Sequence, residues 1–321
     1  MSVKRQIISW ICLLGLGLLA SFFLPPYFRY LLGLMAVYSL ASIGMNFLTG
    51  YTEQISLGNA AFFGIGAYVF AVLQSLQINS VISIIAGAVL SGIIAFIVGF
   101  LTIRVKDIYL AVGTLILPLL LLQVTKGMDI TGGTGGLSVF PLVEQENGSS
   151  LEVAIIIVIT SIIGFVSSLI ANSFIGRAFH ATRLSEHGAV ARGIHVVKYK
   201  VVAFVLSAIL TSISGSLYGV VVGYITPELF QVMISVNFLI MAIVGGRGSI
   251  TGSLLGSAFV VMIPALFNVI GLAQWQQLGL GIGMGVTLLL FPSGLVGILS
   301  LLVKRRRVAI NESKPVASET N

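Results

Sequence analysis

Long apolar stretches follow one another along this sequence, and none of them carries an ionisable residue in its central part. They lie at 7–24, 31–47, 60–77, 81–103, 108–124, 152–174, 201–225, 229–246, 250–272 and 278–303. A helix that crosses the hydrocarbon core of a bilayer needs about 20 apolar residues, so each stretch predicts a membrane span. Only 8% of the residues are charged, against about 25% in soluble domains, which excludes a water-soluble fold. We therefore expect an all-α polytopic membrane protein with about 10 transmembrane helices (range roughly 8–11).

The distribution of positive charge predicts the orientation of these spans. If the N-terminus is cytoplasmic, all but two of the 17 Lys and Arg residues fall in cytoplasmic segments, and the exceptions are Arg29 and Lys126. Cytoplasmic loops of membrane proteins carry an excess of basic residues. We therefore expect a multi-pass protein of the cell inner (plasma) membrane, with both its N-terminus and its C-terminus in the cytoplasm.

The segments between the spans are short. Residues 1–303 are predicted to form a single transmembrane domain, with an external loop at 125–151 and a cytoplasmic loop at 176–200. Residues 304–321 are basic at first and then rich in polar residues, which is typical of a disordered cytoplasmic tail. None of these segments is long enough to bury a hydrophobic core of its own. We expect no soluble domain between the spans.

The sequence lacks the motifs by which a transporter binds ATP or couples transport to protons. No Lys follows a Gly, so the sequence contains no phosphate-binding P-loop. The spans also lack the Asp, Glu or His residues that proton-coupled transporters hold in the membrane. If transport uses ATP, the ATPase is another chain, which carries the ATP and Mg. Coupling to sodium, which can be bound by carbonyl and hydroxyl oxygens, stays open.

Catalysis and metal binding are not indicated. The three His residues fall in one loop, and the single Cys12 lies in an apolar stretch. No nucleophile can be matched to a base, and the His spacing does not suit a metal site. We expect neither an enzyme nor a chain that binds a metal, a cofactor or nucleic acid.

Two segments, 49–59 and 245–249, combine glycine with polar residues at membrane depth or at its margin, and they predict broken helices, which we call the two breaks. Non-helical backbone is tolerated there only inside protein or beside a cavity. The candidate residues of a translocation path are Gly50, Gln54, Ser56, Gly58, Asn59, Gly245, Gly246 and Ser249. Breaks in both halves of a transporter are typical of an internal repeat, which we state here as an expectation.

Two series of glycines recur at four-residue spacing. They are Gly215, Gly219 and Gly223, and Gly248, Gly252 and Gly256. In a membrane, small residues at this spacing let helix backbones approach closely. We predict helix packing at these positions, and close approach to a substrate is the alternative.

Two blocks of the sequence resemble the branched-chain amino acid ABC permeases of the LivM type. The first block runs over 46–68, and the second runs from 176 through 194 to 218. The Gly-Gly-x-Gly-Gly run at 132–136 and the Gly-Gly-Arg-Gly-Ser turn at 245–249 stand in the order of that family. The resemblance covers about 35–300.

This sequence also departs from the family at several positions. The family usually has Gly where Glu53 stands and His where Asn59 stands, and its cytoplasmic loop more often reads Glu-x-Ala-Ala than the sequence that begins at Glu186. These departures leave the substrate open to urea or another small polar solute of sibling permeases.

The resemblance implies a permease subunit of an ATP-binding-cassette importer for Leu, Ile and Val. It implies as partners a second permease chain of the LivH type, two ATPase subunits and an external substrate-binding protein. The residues it assigns to ATPase coupling are Arg177, Arg183, Glu186, Ala189, Arg192 and Gly193. The alternative from another class is a self-sufficient, ion-coupled secondary transporter.

Overall fold

The computed structural model describes residues 3–102, 107–143, 148–291 and 294–297, and most of them are helical. The α-helices of these ranges are α1 Val3–Phe23, α2 Pro26–Thr49, α3 Asn59–Ser75, α4 Ser80–Thr102, α5 Asp107–Gly127, α6 Gly148–Asn172, α7 Phe174–Leu184, α8 Glu186–Ala191, α9 Val196–Val222, α10 Val232–Gly245, α11 Ile250–Val269 and α12 Gln276–Leu290. The strands are β1 Leu137–Ser138 and β2 Tyr224–Ile225. The predicted tail, 304–321, lies outside the described residues.

Each of the ten predicted stretches contains a helix, but not every helix is long enough to span a membrane. Among the described residues, five helices pass a test of length and hydropathy, namely α2, α4, α6, α9 and α11. Residues Ala111–Gly127 of α5 and the segment Asp129–Gly135, which meet at a bend of 97°, add a sixth if they count as one span. The all-helical polytopic membrane fold is therefore confirmed, whereas the predicted number of about ten crossings is not.

The shorter helices have local causes. The stretch predicted at 229–246 begins with a 3-10 helix at Pro227–Phe230, so α10 starts only at Val232 and has 14 residues. Helix α3 has 17 residues because it ends at Ser75, before Gln77 with φ 59°, whereas the predicted stretch runs to 77. Hydropathy does not reveal the 3-10 turn at Pro227–Phe230, because the turn contains the apolar residues Leu229 and Phe230.

Helix α9 lies at the centre of the bundle and packs against α2, α3 and α4. A Cβ atom on Gly66 of α3 would overlap the backbone of Ser212, and one on Gly215 of α9 would overlap the backbone of Phe63. The Ser216 hydroxyl donates a hydrogen bond of 2.9 Å to the carbonyl oxygen of Gly66. The two helices are therefore in direct backbone contact, as small residues in membrane helices allow.

We expect Gly215→Ala to lower the free energy of unfolding by about 2 kcal/mol, because the methyl group would force α3 and α9 apart. Thermal unfolding in detergent measures this. Gly285→Ala is the matched control, since a Cβ at Gly285 of α12 meets nothing within 4 Å. Equal melting temperatures for the two variants would contradict the packing role of Gly215.

The backbones of α10 and α11 also come close together. A Cβ on Gly245 or Gly252 would overlap the backbone of the other residue, and one on Gly256 would overlap the backbone of Met241. Two members of the second glycine series, Gly252 and Gly256, thus lie at a helix–helix contact.

Other members of the two series have different roles from the predicted one. Gly223 ends α9 in the left-handed conformation (φ 75°), and a Cβ there would meet nothing within 4 Å. Gly248 precedes α11, has φ 77° and faces a side chain of the cytoplasmic loop. Gly219 faces the Val139 side chain. The spacing is the same in each series, but the members at a helix end supply a backbone turn instead of a packing face.

The predicted external loop folds back onto the end of α9. Strand β1 pairs with β2 in antiparallel register, Leu137 opposite Ile225, which adds a small sheet to the all-α prediction. The Gln74 side chain at the end of α3 donates to the Phe140 carbonyl and accepts from its N–H, each at 2.9 Å. The predicted span at 201–225 therefore ends at Val222 as helix and continues as strand.

Candidate functional site

One buried amide joins the two predicted breaks. Asn46, in the last turn of α2, is fully buried. Its Nδ2 donates to the carbonyl oxygens of Gly246 (3.2 Å) and Ser249 (2.9 Å) and to the Ser253 hydroxyl (3.1 Å). Its Oδ1 accepts from the Gly248 N–H at 2.7 Å. The end of α2 is thereby tied to the α10–α11 turn, about 200 residues away in sequence.

Gly50 lies at the point where these segments meet. A Cβ atom there would overlap Asn46 Oδ1 and crowd the Gly248 N–H. The backbone of Gly50 itself is in the ordinary right-handed region (φ −83°, ψ −41°). The position therefore requires glycine for space and not for conformation.

Arg183, at the end of α7, bonds the segment between α2 and α3 and lies near the α10–α11 turn. Its Nη1 donates to the Gly50 carbonyl oxygen at 2.6 Å, and its Nε lies 3.5 Å from Glu53 Oε1. The same Nη1 lies 3.2 Å from the place that a Cβ on Gly248 would occupy. The Arg183 side chain is 27% exposed and that of Glu53 is 62% exposed. One guanidinium thus bonds α7 to the segment between α2 and α3 and lies beside Gly248 of the α10–α11 turn.

Glu53 adopts the left-handed conformation, with φ 55°. That region favours glycine, and a non-glycine residue there costs free energy. Glycine is also what the family resemblance leads one to expect at this position. In this chain the ion pair with Arg183 offsets part of the conformational cost.

A second connection runs from α8 to the start of α9. Glu186 Oε1 lies 2.6 Å from Lys200 Nζ, and Lys200 is buried. The Gln54 side chain of the α2–α3 break donates to the Lys200 carbonyl oxygen (3.3 Å) and to the Thr52 hydroxyl (3.0 Å). Gln54 and Glu186, which the sequence places in separate groups, therefore meet at Lys200.

The loop at 176–200, predicted to be cytoplasmic, has its own helix caps. The Ser185 hydroxyl accepts from the Gly188 N–H at 3.1 Å and so begins α8, and Gly193 follows α8 with φ 76°. Ala189 is buried against the rest of the protein, whereas Leu184 and Val190 are exposed. The loop therefore presents an ordered, partly apolar outer face, which a soluble partner subunit can contact.

The remaining break residues are buried inside the chain. Asn59 Nδ2 donates to the Ser207 hydroxyl of α9 at 3.0 Å. The Leu57 N–H donates to the Thr114 hydroxyl of α5 at 3.1 Å. Ser56, Gly58 and Asn59 are all buried, so in this conformation they do not line an open passage within the described residues.

Arg177 and Arg192 are exposed, and together with Arg183 they line a cavity of about 700 Å³. Tyr51 forms part of its wall. Burial raises the pKa of the Tyr51 phenol to about 12, although nearby Arg183 lowers it, so the phenol stays protonated at physiological pH. Across the described ranges, no group of three or more His, Cys, Asp or Glu residues could hold a metal ion.

Sequence reasoning did not assign Asn46 or Lys200 to the site. A signal was present for Asn46, since an amide in an apolar span is costly unless it is hydrogen-bonded. No comparable signal marked Lys200, because its burial depends on how α8 packs beside α9.

Residues 27–291 match the family described as "Branched-chain amino acid transport system / permease component". The high-affinity branched-chain amino acid transport system permease protein LivM of Salmonella typhimurium is 27% identical over 302 residues, which covers 81% of this chain and 68% of that protein. LivM of Escherichia coli K12 is 26% identical over 297 residues, with 82% and 68% covered.

More distant relatives import a different solute. The autoinducer 2 import system permease protein LsrC of Escherichia coli O157:H7 is 24% identical over 154 residues, which is 46% of this chain and 45% of LsrC. No solved structure matches.

Proposed function

Because this chain belongs to the family of branched-chain amino acid transport permeases, we propose that it is the membrane subunit of an ATP-driven importer for Leu, Ile and Val. The match to LivM over 81% of the chain supports this substrate class. Two separate ATPase subunits supply the energy, a second permease chain of the LivH type completes the path, and an external binding protein delivers the amino acid.

The observation that carries the proposed mechanism is the bond of Arg183 to the Gly50 carbonyl, which lies beside Gly248 of the α10–α11 turn. The ATPase subunits bind the outer face of α7 and α8, where Leu184 and Val190 are exposed. When ATP brings the ATPase subunits together, α7 moves and Arg183 moves the Gly50 carbonyl with it. Asn46 transmits the displacement to the α10–α11 turn, so both breaks respond to one event.

The opposite end of the bundle faces the binding protein in this proposal. That end carries the β1–β2 sheet and the glycine run of 132–136, which are held against α3 and α9. The sheet lies at the other end of the bundle from Arg183, as a delivery face on the opposite side of the membrane from the ATPase subunits requires.

A self-sufficient secondary transporter is the weaker alternative. Such a protein usually holds an ionisable residue within its spans. Among the buried polar residues of the described ranges the ionisable one is Lys200, and it pairs with Glu186 at the loop. This arrangement supports a role in coupling to another chain.

Purification from the native membrane in mild detergent is expected to recover this chain with two ATPase chains and one different permease chain. Mass spectrometry identifies them. A homo-oligomer of this chain without any ATPase would overturn the importer proposal.

Substrate choice is tested separately in proteoliposomes that contain the purified complex, its binding protein and internal ATP. We expect uptake of labelled leucine to depend on ATP, and an excess of unlabelled isoleucine or valine to compete with it. Urea and autoinducer 2 serve as the alternative solutes. ATP-dependent uptake of one of these without leucine uptake would retain the importer and contradict the amino acid substrate.

A further inference from the structure

The cavity beside α7 has an unusual concentration of positive charge. Four arginines line it, and they come from three separate elements of the fold. These are Arg177 and Arg183 of α7, Arg192 after α8 and Arg247 of the α10–α11 turn. His180 adds a fifth basic group, and no Asp or Glu is among the lining residues.

Little in the described part of the chain neutralises this charge. Arg183 pairs with the exposed Glu53 at 3.5 Å. Arg177 lies over the Phe174 ring, 5.9 Å from its centroid. Within the described ranges, Arg177, Arg192 and Arg247 make no ion pair. Like charges held this close repel one another, so an anion in the cavity lowers the free energy of the arrangement.

The size of the cavity and the shape of its hydrogen-bond donors indicate the kind of anion that fits. A cavity of about 700 Å³ is much larger than a single carboxylate needs and falls within the usual range of small-molecule sites. Guanidinium groups present pairs of N–H donors that match the oxygens of a phosphate group. Guanidinium groups that line one cavity from three elements suit a tetrahedral anion, which accepts hydrogen bonds from several directions.

The position of the cavity indicates where the phosphate comes from. Its wall includes Ala171 and Asn172 at the end of α6, one of the helices long enough to span the membrane. The neighbouring Phe174 and Ile175 are exposed apolar side chains, and Phe174 is 65% exposed. A cationic cavity next to an apolar surface at the end of a span is a suitable place for a lipid headgroup.

We propose that this cavity binds a phosphate group, and that the phosphate belongs to the headgroup of an anionic phospholipid in the adjoining leaflet. A soluble phosphate compound offers the same chemistry and is the alternative source. The inference does not depend on the substrate or the partners of the transporter, because it concerns this chain alone with the lipid around it.

The test uses the full chain, purified and delipidated in detergent, and titrated with phosphatidylglycerol or with phosphatidylcholine of the same acyl chains. Native mass spectrometry counts the bound lipids. We expect at least one phosphatidylglycerol to bind more tightly than any phosphatidylcholine. The double variant Arg192→Gln with Arg247→Gln should lose about fivefold in affinity for each arginine removed.

Arg29→Gln is the matched control, because Arg29 lies at the start of α2, at the other end of that helix from Tyr51. It should leave the phosphatidylglycerol affinity unchanged. A second arm adds inorganic phosphate or ADP to the lipid-free chain, with binding measured by calorimetry. Tight binding of these that is lost in the double variant supports the phosphate site with a soluble source.

Two results would overturn the proposal. One is equal affinity for the two lipids together with no binding of soluble phosphate. The other is a phosphatidylglycerol preference that the double variant keeps in full, which would place the lipid elsewhere on the chain. Circular dichroism of the double variant excludes loss of folding as the cause of lost binding.

Discussion

Arg183→Gln is expected to lower the amount of solute imported per ATP hydrolysed by at least about tenfold, since a charge-assisted hydrogen bond contributes about 1.5–3 kcal/mol. The variant removes the 2.6 Å bond to the Gly50 carbonyl and the contact with Glu53. In the proposed mechanism the ATPase subunits bind the outer face of α7 and α8, which this variant leaves unchanged, so we expect ATP hydrolysis to continue. Parallel assays of uptake and of phosphate release in proteoliposomes measure the ratio.

Two further variants separate coupling from a merely structural role. Arg183→Lys retains the positive charge but lacks the planar guanidinium that interacts with Gly50 and Glu53 through different nitrogens. Its ratio of solute imported to ATP hydrolysed should therefore lie between those of the original protein and of Arg183→Gln. Glu53→Gln removes an exposed ion pair, whose contribution is about 0–1 kcal/mol, and should change the ratio little. If Arg183→Gln reduces uptake and ATP hydrolysis to the same extent, Arg183 does not transmit the motion.

Asn46→Leu is expected to have the largest effect on stability. The leucine leaves the Gly248 N–H and the carbonyl oxygens of Gly246 and Ser249 without the amide that bonds them. Each lost partner of a buried polar group costs about 1–3 kcal/mol in water-soluble proteins, and hydrogen bonds in membranes average less. We expect the free energy of unfolding to fall by about 3 kcal/mol, together with a loss of transport.

Asn268→Leu is the matched control for this change. Asn268 lies near the end of α11, and its side chain is exposed and makes no hydrogen bond within the described ranges. Thermal unfolding in detergent should show a clear decrease for Asn46→Leu and almost none for Asn268→Leu. An unchanged melting temperature for Asn46→Leu would mean that the two breaks do not depend on one another.

Glu53 combines a backbone conformation that favours glycine with an ion pair to Arg183. Glu53 is one of two non-glycine residues with positive φ in the described part of the chain. The conformation is one that glycine adopts without cost. Glu53→Gly would therefore relieve the backbone while it removes the ion pair, and these two effects oppose one another. We therefore expect Glu53→Gly to change the free energy of unfolding only slightly. Asn46→Leu differs, because it removes hydrogen bonds without relieving any backbone strain.

Much of the fold was predictable from local pattern. Apolar stretches of about 20 residues without charges indicate spans because a buried charge in the bilayer is costly. The caps of α8 were also readable, since Ser185 and Gly193 stand at the two ends where a helix needs a side-chain acceptor and a left-handed turn. The number of spans was less accessible, because a 3-10 turn such as Pro227–Phe230 shortens a helix without reducing its hydropathy.

The sequence by itself determined a helical membrane protein, the two segments where helices break and the family to which those segments belong. Only the tertiary structure decided that the breaks meet one another at Asn46 and meet the cytoplasmic loop at Arg183. These contacts join residues 202 and 133 positions apart. Local pattern carries no information on such pairs, because they arise from the way α2, α7 and α11 pack. That packing depends on the close approach of backbones at glycines such as Gly50. A side chain at Gly50 would overlap its neighbours, although the backbone conformation there is an ordinary one.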